Sequence, residues 1–134
     1  ENNPKIEYIG GAAKHFGHNR ERIALPLSDP INLCFCPLFF AQSPIRKELF
    51  NKMGGFNNEL SPIADWSFWL SVYENNIIGT TIDKVIYYRR NRSGGIFQSN
   101  IALSDSLLEK MIKYHPVFFE SDDRIKRDDL ERNL

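Results

Sequence analysis

At 134 residues the chain is one domain or part of one, long enough to bury a core but short for an enzyme that must hold two substrates. Hydrophobic residues make up 42% and aromatic residues 13%, which excludes a disordered chain. Seventeen basic and seventeen acidic residues cancel, excluding the broad positive field on which nucleic-acid binding relies, so any phosphate recognition must be local.

No apolar run reaches the roughly 18 residues of a membrane span, and the polar start Glu1-Asn2-Asn3-Pro4 is no signal peptide. The expectation is a soluble, cytoplasmic chain. It begins with Glu and not Met, which reads as a piece cut from something longer. Cys34 and Cys36 are one residue apart and have no neighbouring histidine, so they build neither a disulfide framework nor a strong metal site. Free, reduced thiols are expected.

In chain order, Ile6 to Ile9 reads as a short strand that turns at Gly10-Gly11. Ala12 to Arg22 mixes histidines and charges without periodicity and reads as a loop. Residues 31 to 43 are apolar and β-prone apart from Pro37, which fits two short strands or one broken at the proline. From Ile45 the spacing Ile45, Leu49, Met53 predicts a helix, with Ser43 as its cap, Pro44 at its first position and Gly54-Gly55 as its stop.

A second helix follows, with Asp65 at its N-terminus. Trp66, Trp69, Leu70 and Tyr73 fall at i, i+3, i+4 and i+7 and predict its buried face, and Asn75-Asn76 its end. Ile77 to Asp83 and Lys84 to Arg89 predict two short strands, the second running into the polar stretch Arg90 to Gly95. Tyr87 and Tyr88 point to opposite faces, so only one belongs to a core. A third helix is predicted from Ala102 to Tyr114, with Leu103, Leu107, Leu108 and Met111 on one side and Pro116 closing it. From Glu120 the charges alternate densely, as in a solvated helix or a disordered tail.

Asp65 supports two readings. Aspartate is a favoured N-cap, worth roughly 0.5–2 kcal/mol. The same position keeps a carboxylate ionised beside the helix dipole, where it can act as a general base facing a cleft. His15, His18 and His115 share no ligand spacing, and His115 at a helix end is a cation in a favourable place. Arg89-Arg90-Asn91-Arg92 could form a phosphate patch, and Glu120-Ser121-Asp122-Asp123 reads as a solvated acidic turn.

The run SPIRKELFNKMGGFNNELSPIADWSFWLSVYENN followed by DKVIYYRRNRSGG resembles the second half of inverting family 2 glycosyltransferases. That family has a Gly-Gly-Phe-Asp-Glu loop, a Glu-Asp-Trp-type motif opening a helix, and a Tyr-Arg-x-His-type segment about twenty residues on. The matched region spans roughly residues 43 to 95, and the start NPKIEYIGG is similar to the strand after the donor-binding half. The resemblance implies an α/β fold of the GT-A (nucleotide-diphospho-sugar transferase) type, present in part as a short mixed sheet packed by helices. It implies an acceptor-side half over residues 1–116, with a charged tail over 117–134.

By the same resemblance Asp65 is the base that takes the proton from the acceptor hydroxyl. Trp66 and the loop carrying Gly54, Gly55, Phe56 and Glu59 face the acceptor. Arg89, Asn91 and Arg92 lie where the family binds the donor diphosphate. The implied partners are a nucleotide-sugar and a glycan or lipid-linked acceptor, met in the cytoplasm or at the inner face of a membrane. The implied cofactor is a divalent metal, Mg or Mn, held in a longer parent by an Asp-x-Asp preceding Glu1 and not by this piece, which is expected to be inactive alone and to self-associate. Ala64 stands where the family has Glu and Asn91 where it has His, which keeps open an alternative: a non-catalytic binding or assembly module derived from the family.

Overall fold

The computed structural model describes residues 5–17, 22–24, 41–92 and 105–120. These form a mixed α/β unit: a three-stranded sheet in the order β2-β1-β3, with helices packed on it. Strand β1 (Tyr8–Gly17) pairs antiparallel with β2 (Arg22–Ala24) and parallel with β3 (Gly79–Asn91).

The glycine pair expected to turn the chain instead lies inside β1, and most of the expected loop from Ala12 is strand. Close approach explains this. A Cβ on Gly11 would meet Ile86 Cγ2 at 2.6 Å and the Lys84 carbonyl at 3.0 Å, so only glycine lets β3 come this near. The register slips here, from Gly10 opposite Thr81 to Ala12 opposite Val85 and Ala13 opposite Tyr87. The extra β3 residues are absorbed as a bulge, which is why Asp83-Lys84 does not divide two strands and β3 runs unbroken. Tyr87 is half-buried and Tyr88 is exposed, as alternation requires.

Helix α1 (Lys47–Lys52) starts later than the sequence suggests. Pro44 and Arg46 are held in extended backbone: the Ile9 N–H donates to the Pro44 carbonyl and the Arg46 N–H to the Glu7 carbonyl, each at 2.9 Å, and Ile45 bridges Tyr8. Ser43 is buried and caps nothing; its hydroxyl has no partner among the described residues. Arg46 is the N-cap, without a side-chain capping bond; its Nε donates instead to the Ile6 carbonyl at 2.8 Å. The helix ends as expected, with Gly54 at φ +79° and Gly55 at φ +70°, values that favour glycine. Of the strands expected over 31–43, residues 31–40 lie outside the described residues and 41–43 form a turn and bend; Cys34, Cys36, the first residues of the third helix and the tail from 121 also lie outside the described residues.

After a 3-10 turn at Asn58–Leu60, helix α2 (Ala64–Glu74) crosses the centre of the unit. Trp66, Ser67, Phe68, Trp69 and Leu70 are buried in succession, and Val72 follows. The expected single face was too narrow, and Tyr73, assigned to it, is 45% exposed with its ring edge against Phe118. Helix α3 (Asp105–Tyr114) inserts Met111, and Pro116 does not merely close it but opens α4 (Pro116–Glu120), whose Phe118 enters the same core. Within residues 117–120, assigned above to the tail, Phe118 is therefore in the core and Phe119 packs against it. Each large apolar side chain so buried contributes roughly 1.5–3 kcal/mol, which makes α2 the main source of stability.

Sheet and helices meet where Tyr8, opposite Gly79 in the register, packs its ring 5.2 Å from that of Trp69. A Cβ on Gly79 would overlap the Tyr8 ring. Gly79→Ala should therefore lower stability by about 1–3 kcal/mol in urea unfolding, as overpacking does. In a Tyr8→Ala background the same change should cost little, and a coupling energy near zero would show that the ring is not the obstacle.

Candidate active site

Asp65 lies in the first turn of α2, where Ile63 and not Asp65 is the N-cap. Its Oδ1 accepts the Trp66 N–H at 2.9 Å, so the carboxylate meets the free N–H end of the helix without capping it. Burial pushes its carboxyl above the usual value of 3.8, opposed by hydrogen bonds from the backbone and by the nearby Arg89 guanidinium. Arg89 sits on β3 beside Tyr87, two residues away on the same strand face. Burial pushes the Tyr87 hydroxyl up to about 12; the Arg89 charge pulls it down and the Asp65 charge pushes it further up. Asp65, Tyr87 and Arg89 thus form one electrostatic cluster where the start of α2 meets β3.

Asn91 shares the Arg89 face at the last position of β3, with its carbonyl against Gly17, while Arg92 follows the strand and is exposed. Trp66 is only 4% exposed and belongs to the core cluster.

Gly54, Gly55, Phe56 and Glu59 do come together, but elsewhere. With the rest of residues 53–59 they form one wall of a groove of about 550 Å³; Ser67, Phe68 and Ser71 of α2 form its floor, and Tyr114 and His115 its far side. Phe56 is clamped there by Phe50 and Phe68, with ring centroids 5.1 and 5.6 Å away. The Tyr114 hydroxyl donates to Glu59 Oε2 at 2.7 Å, bridging the walls. Asp65 and Trp66 do not line this groove. At about 100° per residue Asp65 and Ser67 lie on opposite sides of α2, so the helix separates the carboxylate from the loop.

His115, placed by the sequence at a helix end, lies between α3 and α4 and is buried. It is 3% exposed, with Nε2 2.7 Å from Ser67 Oγ and Nδ1 2.9 Å from Glu74 Oε2. Glu74 Oε1 accepts the Phe118 N–H at 3.2 Å. Sequence reasoning missed this chain of bonds. The one signal was that Ser67 and Glu74 are seven residues apart and share a helix face; nothing in the sequence brings His115 to them.

Among the described residues no group of three or more His, Cys, Asp or Glu is arranged to hold a metal, and the amide of Asn91 is a poor ligand. No helix among them is long and apolar enough to cross a membrane. No known family model, curated protein or solved structure matches this chain.

The raised carboxyl of Asp65 fixes the sign of a stability effect. The native state holds this proton more tightly than the unfolded chain, so the contribution is complete below pH 3.8 and is lost as pH rises through the folded value. Asp65→Asn removes that dependence. Relative to wild type, the variant should gain stability between pH 4 and pH 7, and at pH 7 should lie within about 1 kcal/mol of it, since the lost helix-dipole attraction is of that size. Urea midpoints at the two pH values test this; a variant that loses ground as pH rises would show that Arg89, and not burial, dominates.

Proposed function

We propose that the chain is the acceptor-side part of an inverting glycosyltransferase of the GT-A type, with Asp65 as its general base. The observation that supports this is the Asp65 carboxyl, held above its ordinary range by burial yet kept beside the cation of Arg89. A base works best when its pKa is moved toward the working pH. In the reaction the acceptor O–H proton passes to Asp65 as the oxygen attacks the anomeric carbon. The bond from that carbon to the donor diphosphate breaks, and the negative charge departs on the phosphate. Arg89, with Asn91 on the same face, offers the charge and the hydrogen bonds that such a leaving group needs. The acceptor then reaches Asp65 from the β3 side of α2.

A second reading, a binding module without catalysis, draws on the separation of the Gly54–Glu59 groove from Asp65. One experiment divides them. In the full-length parent, Asp65→Asn should leave the protein folded and donor binding intact while transfer falls by at least about 10²-fold, and the acid limb of the wild-type pH–rate profile should have its midpoint above 3.8. Unchanged transfer would favour the binding module.

The reading also expects a partner surface. Among the described residues β3 is an edge strand; Thr81 to Val85 are exposed, and Ile82, Val85 and Tyr88 present apolar surface. Edges of this kind recruit other strands. Light scattering on this chain should show concentration-dependent self-association, and a strict monomer at high concentration would count against a missing sheet partner.

A further inference from the structure

The groove on the other side of α2 has a floor that the transferase reading does not use. Ser67 Oγ, His115 Nε2 and Nδ1, and Glu74 Oε2 follow one another at 2.7 and 2.9 Å. The order hydroxyl, imidazole, carboxylate is the one in which a serine is activated. A carboxylate only accepts, so in the neutral ring the proton sits on Nδ1 and Nε2 is left to take the serine proton. Glu74 is itself fixed, since its second oxygen accepts the Phe118 N–H.

A structural explanation has to account for all three groups. A buried histidine is satisfied by any two partners, and ties of this kind do pin α3 and α4 to α2. The serine, however, also borders a cavity: both Ser67 and His115 line the groove. Ser71, the other hydroxyl on the floor, donates to the Ser67 carbonyl at 3.3 Å and has no base. The facing wall supplies what an acyl group would need. Met53 and Phe56 on that wall are apolar, as is Phe68 on the floor, and among the described residues the backbone N–H groups of Phe56 and Asn57 have no hydrogen-bond partner. Free N–H groups in such a wall can stabilise an oxyanion.

We propose that Ser67, His115 and Glu74 form a second reactive site, a serine acyl-transfer centre that takes esters of small carboxylic acids. This site shares none of its three residues with the Asp65 cluster and stands whether or not the chain serves glycosyl transfer. Ser67 Oγ bonds to the ester carbonyl carbon while its proton passes to His115 Nε2. The ester C–O bond then breaks, and the departing alcohol takes that proton. Water repeats the sequence on the acyl-serine, yielding the carboxylic acid and the free hydroxyl. Ser67 is the nucleophile and His115 the base; Glu74 is a positioning residue.

Whole protein is treated with diisopropyl fluorophosphate, which forms a serine–phosphorus bond and releases fluoride, and the product is mapped by peptide mass. A single adduct at Ser67 is expected, together with hydrolysis of p-nitrophenyl acetate that disappears in Ser67→Ala. His115→Gln should slow labelling by roughly 10²-fold or more. Glu74→Gln should lower the maximal labelling rate while leaving unchanged the reagent concentration that gives half of it, a split that simple loss of packing does not produce. Wild-type protein that is folded by circular dichroism and carries no adduct at Ser67 would overturn the proposal, as would labelling whose rate His115→Gln does not change. Both results come from proteins that keep Ser67, so they decide the matter even where Ser67→Ala fails to fold.

Discussion

The burial of α2 is the constraint on which the other features depend. A helix with Trp66 to Leu70 all buried must be covered on every side, and each cover comes from a different part of the chain. The sheet reaches it through Tyr8 against Trp69, α1 and the loop after it through Phe50 and Phe56 against Phe68, and the C-terminal helices through Met111 and Phe118. Core packing at near-crystalline density leaves no slack among these contacts, so the position of α2 fixes the position of everything that touches it.

One polar residue inside that run sets a second requirement. Ser67 is buried among aromatic neighbours, and an unpaired hydroxyl there would carry a desolvation cost of about 1–3 kcal/mol. His115 meets this need, but an imidazole brings a second nitrogen, which Glu74 satisfies one face-repeat along the same helix. Glu74 in turn takes the Phe118 N–H and holds the start of α4. Hydrogen-bond satisfaction therefore orients the same helices that apolar packing brings together, and it leaves a serine, a base and an acid in line beside the groove.

The sheet meets its own demand by a different route. Parallel pairing of β1 with β3 brings two long strands together through an irregular register, which only small residues permit. Gly10 to Ala13 provide them. At Gly79 the missing side chain makes room for the Tyr8 ring, so the strand pairing and the packing of α2 share one residue. At the far end of β3 this same pairing places Arg89 within electrostatic reach of Asp65, giving α2 a charged cluster on the side away from the groove.

Local chemistry was legible in the sequence wherever local forces decide the outcome. Gly54-Gly55 ended α1 because a left-handed backbone favours glycine; Asn75-Asn76 ended α2; and Trp66, Trp69 and Leu70 were buried because their spacing repeats with the helix. The rest was decided by partners distant in sequence. Gly10-Gly11 has the composition of a turn and became strand because β3 lies against it. Ser43 and Pro44 have the composition of a helix start, yet Ser43 lies in a bend and the chain from Pro44 to Arg46 stayed extended because Glu7 and Ile9 claim the backbone there. The candidate sites divide the same way. Asp65 at the start of a helix could be read from its neighbours, whereas its separation from the Gly54–Glu59 loop depends on which way α2 faces. The joining of Ser67 and Glu74 to His115 depends on α3 and α4 folding back over more than forty residues, a closure whose entropy only the assembled core repays.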